Sequence, residues 1–233
     1  MLTDAIAPIA AGLPAWFFLR YGDPHWHVRL RVHGEPAALL GDVLPRLTAA
    51  TQDLLDHGLV WRIQLDTYER EVERYGGPLG VELAERLFWA DSACVLDLLG
   101  MIAGDAGNDA RWRLAVRGID QLLADLGFDL PARLAILRDA RDSFAREHRV
   151  DTAVPFQRAL GDRYRKERAA LAPLLDPTRD DDGELAPGLA RIRQRSAALA
   201  PIADELRAAE RHGRLSVPLR HLAASYLHMH VNR

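Results

Sequence analysis

Apolar and polar positions alternate strictly over two stretches of this chain and follow helical spacing over most of the rest. In His25–His33, Trp26, Val28, Leu30 and Val32 fall on one side, and His25, His27, Arg29, Arg31 and His33 on the other. A period of two predicts a half-buried strand. The aromatic run Trp16–Tyr21 predicts a strand before it, and Gly22, Asp23 and Pro24 a turn, so the two are expected to form an antiparallel hairpin. A short helix is expected over residues 2–11 and a longer one over 36–56, with Leu39, Leu40, Val43, Leu44, Leu47, Leu54 and Leu55 as its apolar face. Alternation returns in Val60–Glu69, where Trp61, Ile63, Leu65 and Thr67 oppose Arg62, Gln64, Asp66 and Tyr68. It predicts a third strand whose polar face lines up beside that of the second.

Gly76, Gly77 and Pro78 make a hard break, after which the pattern is helical. Helices are expected over about 79–103, 110–126, 131–147, 155–171 and 187–211, the last interrupted or kinked at Pro201, with a final helix from Pro218 to the chain end. Gly104–Asn108 reads as a turn, and Asp176–Gly188, with Asp180, Asp181 and Asp182, as an exposed acidic loop. Strands first and helices afterwards give an α+β class: a small antiparallel sheet near the N-terminus, packed by a larger, mostly helical C-terminal part, in one domain over 1–233.

Composition narrows the function classes. With 233 residues, 48% of them hydrophobic, the chain can bury a proper core. A net charge of −3 argues against general binding to nucleic acid or a membrane surface. Lys166 is the only lysine, so the basic residues are almost all arginine, as a GC-rich genome would produce. Cys94 is alone and lies in an apolar run, where a buried inert thiol is expected rather than a nucleophile. There is no basic leader with a cleavage signal and no run long enough to span a membrane, so a cytoplasmic protein is the expectation.

Two constellations carry candidate chemistry. The polar side of His25–His33 places two guanidinium groups among three imidazoles, either a solvated face paired with carboxylates or a site for an anionic substrate. In the last helix, His221, Ser225, His228 and Asn232 form one stripe beside the apolar Leu222, Tyr226 and Met229, a surface able to transfer protons. Asp66, Glu69, Glu71 and Glu73 crowd around Tyr68, as a source of a general base or as salt-bridge partners of Arg70 and Arg74. His25 and His27 could reach one ion, but no carboxylate or cysteine stands at ligand spacing and Arg29 would repel a cation, so no metal is expected. Phosphate loops, nucleophile elbows and dinucleotide fingerprints are missing. The residues alone imply an arginine–histidine anion site.

Segments in order also resemble a known family. Trp16-Phe-Phe-Leu-Arg-Tyr-Gly-Asp-Pro24 followed by His27-Val-Arg-Leu-Arg31 is similar to the start of the C-terminal domain of lantibiotic dehydratases. Tyr68-Glu-Arg-Glu71-Val-Glu-Arg74-Tyr-Gly-Gly77 resembles its second signature, and Ser225-Tyr-Leu-His228-Met-His-Val-Asn-Arg233 its C-terminal one. The middle helical part matches loosely, and both ends are shorter than is usual there, which leaves a complete eliminase, a specialised relative or an excised domain as alternatives. The resemblance implies a lyase that removes glutamate from glutamylated Ser or Thr of a ribosomally made precursor peptide, leaving dehydroalanine or dehydrobutyrine. It implies a leader-bearing peptide substrate and a partner enzyme that adds the glutamate from glutamyl-tRNA. No cofactor, metal or direct nucleic-acid contact is implied, and a homodimer is left open. It also implies roles: Arg31, Glu71, Arg74 and His228 catalytic, with His27, Arg29, Tyr68 and Asn232 binding substrate. Guanidinium groups would hold carboxylates or a developing oxyanion, and Glu71 or His228 would move the proton. Two alternatives are a pyridine synthase joining two dehydroalanines in a formal [4+2] cycloaddition with loss of the leader, and a non-catalytic module that binds the precursor.

Overall fold

The run from Trp16 to Leu19 is buried on both of its faces and feeds two hydrophobic cores. The structure, a computed structural model, describes residues 1–102, 104–147, 150, 154–176, 178 and 183–233. Strand β1 (Ala15–Tyr21) pairs antiparallel with β2 (His27–His33) in a register running from Ala15↔His33 to Tyr21↔His27. Directly opposed residues share a face. Phe17, Leu19 and Tyr21 therefore stand with Arg31, Arg29 and His27, while Trp16, Phe18 and Arg20 stand with Val32, Leu30 and Val28. Phe17 and Leu19 enter the main core with Phe88, Leu122 and Tyr226; Trp16 and Phe18 enter a second core with Ile9, Val43 and Leu96.

Helix α1 (Leu2–Ile6 continuing through Ala7–Ala10) and helix α2 (Pro36–Ala38, Leu39–Val43 and Leu44–Asp56, without a break) cover the second core. Then come α3 (Pro78–Met101), α4 (Gly104–Asp125), α5 (Leu130–Glu147), α6 (Val154–Leu174), α7 (Ala186–Arg211) and α8 (Leu219–Val231). The class is α+β, a two-stranded antiparallel sheet against a helical body. No helix among the described residues is long and apolar enough to cross a membrane.

The structure corrects several expectations. The third strand over Val60–Glu69 does not form: the segment lies alongside β2, His25 against Trp61 at 5.9 Å and Arg31 over Tyr68 at 4.4 Å, yet no backbone hydrogen bond joins the two among the described residues. Alternation fixes a strand only where one face is buried, and Trp61, Ile63 and Leu65 all remain exposed. Strand β2 begins at His27, and Trp26, expected on the buried side, is 84% exposed because it precedes the ladder. Leu40, assigned to the apolar face of α2, is also exposed. The turn expected at Gly104–Asn108 is the first part of α4. Helix α3 ends at Met101 with Ile102 in extended backbone, and a Cβ on Gly107 would lie 2.5 Å from the Ile102 side chain, a space that only glycine leaves free. Helix α7 runs uninterrupted through Pro201, which sits on its exposed side. Asp180, Asp181 and Asp182 lie outside the described residues.

Two local devices hold the turn before α3 and the end of α8 in place. Gly76 and Gly77 have φ of 83° and 101°, which L side chains rarely adopt, and Pro78 opens α3 with its φ already helical. The same turn comes back so closely that a Cβ on Gly80 would sit 1.9 Å from the Tyr75 carbonyl oxygen. The second device is Asp91, fully buried on α3. It accepts from Arg195 of α7 (2.8 Å), from His230 of α8 (2.8 Å) and from Arg233 (3.0 Å). Beside it the Ser92 hydroxyl accepts from the Phe18 backbone of β1 (3.2 Å) and from Arg233 Nε (2.8 Å), while Arg195 donates to the Gly118 carbonyl of α4 (2.7 Å). Burial alone would raise the Asp91 carboxyl, but His230, Arg233 and Arg195 together hold it well below the usual carboxylate range.

Because that value is depressed in the fold, the stabilisation is fully present above the unfolded value near 3.8 and is lost as the pH falls further. Asp91→Asn leaves two buried guanidinium groups with a neutral partner and should cost about 3–5 kcal/mol in urea unfolding at neutral pH; Asp139→Asn, which breaks an exposed pair with Arg220, should hardly move the midpoint. Gly80→Ala should cost about 1–3 kcal/mol by forcing the Tyr75 turn outward, measured as a lowered urea midpoint with an unchanged slope.

Candidate functional site

On the polar side of β2, Arg29 and His33 reach solvent, His27 and Arg31 are half-buried, and none of the four has a carboxylate partner among the described residues. The register sets this side beside the aromatic residues of β1. Arg29 lies 4.0 Å from the centre of the Tyr21 ring, and Arg31 4.4 Å from that of Tyr68 and 5.4 Å from that of Phe17. The ring faces attract the cations and relieve the repulsion between the two arginines. Arg29 Nε donates to His27 Nε2 at 3.0 Å, and His27 Nδ1 donates to the His25 carbonyl at 2.8 Å, an arrangement that places the imidazole proton on Nδ1. His27 also stacks on Tyr21, 5.5 Å between centres. Arg31 Nη1 is buried without a hydrogen-bond partner.

A second group comes from the turn before α3 and from α8. Arg74 Nη1 donates to Glu71 Oε1 at 3.0 Å, and Arg74 Nε reaches Ser225 Oγ at 3.5 Å. His228 follows Ser225 on the same stripe, and the Asn232 amide donates to its Nε2 at 2.9 Å. Burial first, and then the Arg74 charge, push the His228 pKa below its ordinary value; Glu147 and Glu71 oppose this. The Arg20 backbone N–H donates to the Asn232 carbonyl at 2.9 Å, which closes the end of α8 against β1.

An aromatic floor lies beneath. Tyr75 is parallel to Tyr226 with centres 6.1 Å apart and meets Phe88 edge-on at 5.2 Å, and its phenol is pushed up to about 12 by burial. Burial and the Glu85 carboxylate raise Tyr68 well above the ordinary phenol range, and Arg70 is held by both oxygens of Glu85 at 2.9 Å. These phenols stay protonated near neutral pH and serve as walls.

Of the eight residues expected at the site, Glu71, Arg74, His228 and Asn232 meet as one array, Arg31 meets Tyr68, and Arg29 meets His27. Tyr21, which carries Arg29 and His27, is near enough to Arg74 to act on its charge. His25 turns away to Trp61, and His33 and His221 are exposed. Sequence reasoning missed Phe17 and Tyr21 as the surfaces under the arginines, although a hairpin register would have paired them with Arg31 and His27. It gave Ser225 no partner and passed over Asp91, a lone charge in the apolar run of α3. Cys94 is buried, and its thiol is pushed up to about 11 by burial, as fits an inert core residue. No group of three or more His, Cys, Asp or Glu able to hold a metal ion occurs among the described residues.

The chain is 30% identical over 166 residues to the subtilin biosynthesis protein SpaB of Bacillus subtilis, covering 71% of this chain and 15% of that protein. It is 37% identical over 99 residues to the nisin biosynthesis protein NisB of Lactococcus lactis subsp. lactis, covering 42% and 9%. Among solved structures, the tRNA-dependent lantibiotic dehydratase MibB from Microbispora sp. 107891 superposes with a TM-score of 0.70 at 26% identity, over 99% of this chain and 24% of that one. The chain thus spans a quarter or less of these relatives. TsrL (TM-score 0.69, 17% identity, 100% and 84% covered) and the pyridine synthase TbtD from thiomuracin biosynthesis (0.59, 18%, 98% and 85%) share the fold. The family model for the C-terminal part of lantibiotic biosynthesis dehydratases matches residues 1–233, and the chain belongs to that family.

Proposed function

We propose that this protein is a lyase that eliminates glutamate from glutamylated Ser or Thr of a precursor peptide, leaving dehydroalanine or dehydrobutyrine. The observation that carries this reading is the guanidinium of Arg74, fixed by Glu71 and Ser225, beside an imidazole at His228 that burial and Arg74 keep neutral near pH 7. β-Elimination requires a base for the Cα proton, positive charge for the enolate-like oxygen, and a binding place for the departing carboxylate. His228 is the base in this reading. Glu71 is the weaker choice because both its oxygens lie within 3.4 Å of Arg74 Nη1, so it orients that residue. Arg74 stabilises the developing oxyanion. Arg31, with a free buried donor, holds the glutamate carboxylate; Arg29 and His27 extend that wall, and Tyr68 and Asn232 hold Arg31 and His228 in place. The substrate carries a leader and a core, and a partner enzyme using glutamyl-tRNA supplies the ester. Its relatives in subtilin and nisin biosynthesis support a role in making such peptides.

A second reading, cycloaddition of two dehydroalanines with loss of the leader, has in its favour the near full-length likeness of fold to a pyridine synthase. The assay separates the two. Glutamylated precursor incubated with the protein should lose glutamate by mass, whereas a peptide with preformed dehydroalanines should keep its leader. Release of the leader with no loss of glutamate would reverse the assignment, and an unchanged mass for both substrates would leave only a binding role.

His228→Ala should lower the elimination rate by about 10²–10⁴-fold in that assay, with circular dichroism unchanged. The elimination rate should fall on the acid side only below pH 6.5, because the base must be neutral and its value is depressed from there. A limb at or above that pH would argue against His228 as the base.

A further inference from the structure

A cavity of about 290 Å³ lies between α3, α4, α7 and the end of α8, and the proposed elimination site does not use it. β1 separates the two: Phe17 and Tyr21 carry the arginines of the site, whereas Arg20, on the other face of the strand, lines the cavity. Its walls are apolar, with Leu98, Ile102, Leu114 and Ile192 prominent. Its charges are all of one sign. Arg20, Arg111, Arg195 and Arg233 line it, and no Asp or Glu does among the described residues.

These cations are not balanced from within. Arg195 and Arg233 share the single carboxylate of Asp91, and Arg195 Nε and Arg233 Nη2 are buried without a hydrogen-bond partner. The side chains of Arg20 and Arg111 make no ion pair or hydrogen bond among the described residues, and Arg20 Nε is buried unpaired. Burial, and then the charge of Arg111, depress the Arg20 guanidinium. Buried donors with no acceptor forfeit their hydration without return, so a ligand that brings an anion gains what the polypeptide leaves unspent. The leucine and isoleucine walls require that ligand to be apolar over most of its body. The volume is that of roughly ten waters, at ~30 Å³ each, which suits a molecule smaller than a typical drug. Arg111 is exposed, so the charged rim reaches solvent.

We propose that this cavity binds a small amphipathic carboxylate, with its acid group on Arg20 and Arg111 and its hydrocarbon body against Leu98, Ile102 and Leu114. The acid can be free or be the C-terminal carboxylate of an aliphatic peptide residue.

Calorimetric titration of the full chain with octanoate and with N-acetyl-leucine tests this. At least one should bind with one-to-one stoichiometry and a dissociation constant on the order of 0.1 mM; the tighter of the two identifies the source as free acid or peptide terminus. Arg111→Gln, at the exposed rim, should weaken that binding about tenfold or more without altering the fold, and Ala115→Trp, an exposed lining position, should block it. Arg20→Gln should act like Arg111→Gln; if it does not fold, the Arg111 variant still decides. Octanol and octylamine keep the body and lose the anion, and acetate keeps the anion and loses the body; all three should fail to bind. Equal binding of octanol, equal binding of acetate, full affinity in Arg111→Gln, or no binding of either acid would each overturn the proposal.

Discussion

Asp91 places one buried negative charge among two buried guanidinium groups and an imidazole, and the geometry of the candidate site depends on how that charge is met. Removing an ion from water costs several kcal/mol even after relaxation, so the carboxylate can persist only with its partners in place. Those partners come from α7, α8 and the residues just past the end of α8, and Ser92 adds β1 through Phe18. Successive residues of an α-helix are about 100° apart. With His230 turned inward to Asp91, His228, two residues earlier, must face the other way. The buried hub thereby sets the phase of α8 and presents His228, with Ser225 one turn before it and Asn232 one turn after, to Arg74.

The same constraint explains why the hairpin is held from both sides. Its two cores pull on alternate residues of β1, and the Ser92 and Asn232 contacts tie its backbone to α3 and to the end of α8. A two-stranded ribbon is marginal in water by itself. Here β1 feeds two apolar cores, and the packed hairpin carries Arg29 and Arg31. Gly76, Gly77 and Gly80 do the corresponding work for Arg74, folding its turn tightly enough against α3 that a single methyl group at residue 80 would collide with the backbone.

Much of this was legible in the sequence, and the limits have physical causes. Helices announce themselves locally, through spacing and through breaks such as Gly77-Pro78, so their order and most of their ends could be read. The hairpin was legible for the same reason. The segment over Val60–Glu69 was not, because alternation records a capacity for pairing, and whether a neighbour supplies the ladder is a tertiary matter. Asp91 was illegible for the opposite reason. Its partners lie 104, 139 and 142 residues away, and nothing within one turn of it signals them. The arginines of β2 stood between these cases: their shared face was readable, while the rings beneath them depended on register.

Those rings separate two kinds of arginine in the molecule. Arg70 has given its edge to Glu85 and Arg113 to Glu167, and such forks hold elements together. Arg29 and Arg31 have no carboxylate partner among the described residues; their planes rest near aromatic faces. A cation over a ring is held through its flat face, which leaves in-plane N–H groups for a planar anion. In the elimination proposed above, a structural carboxylate on either residue would occupy the N–H groups that a substrate carboxylate needs. An arginine that is held but not neutralised therefore fits the proposed carboxylate-binding role better than the row of positive charge does by itself.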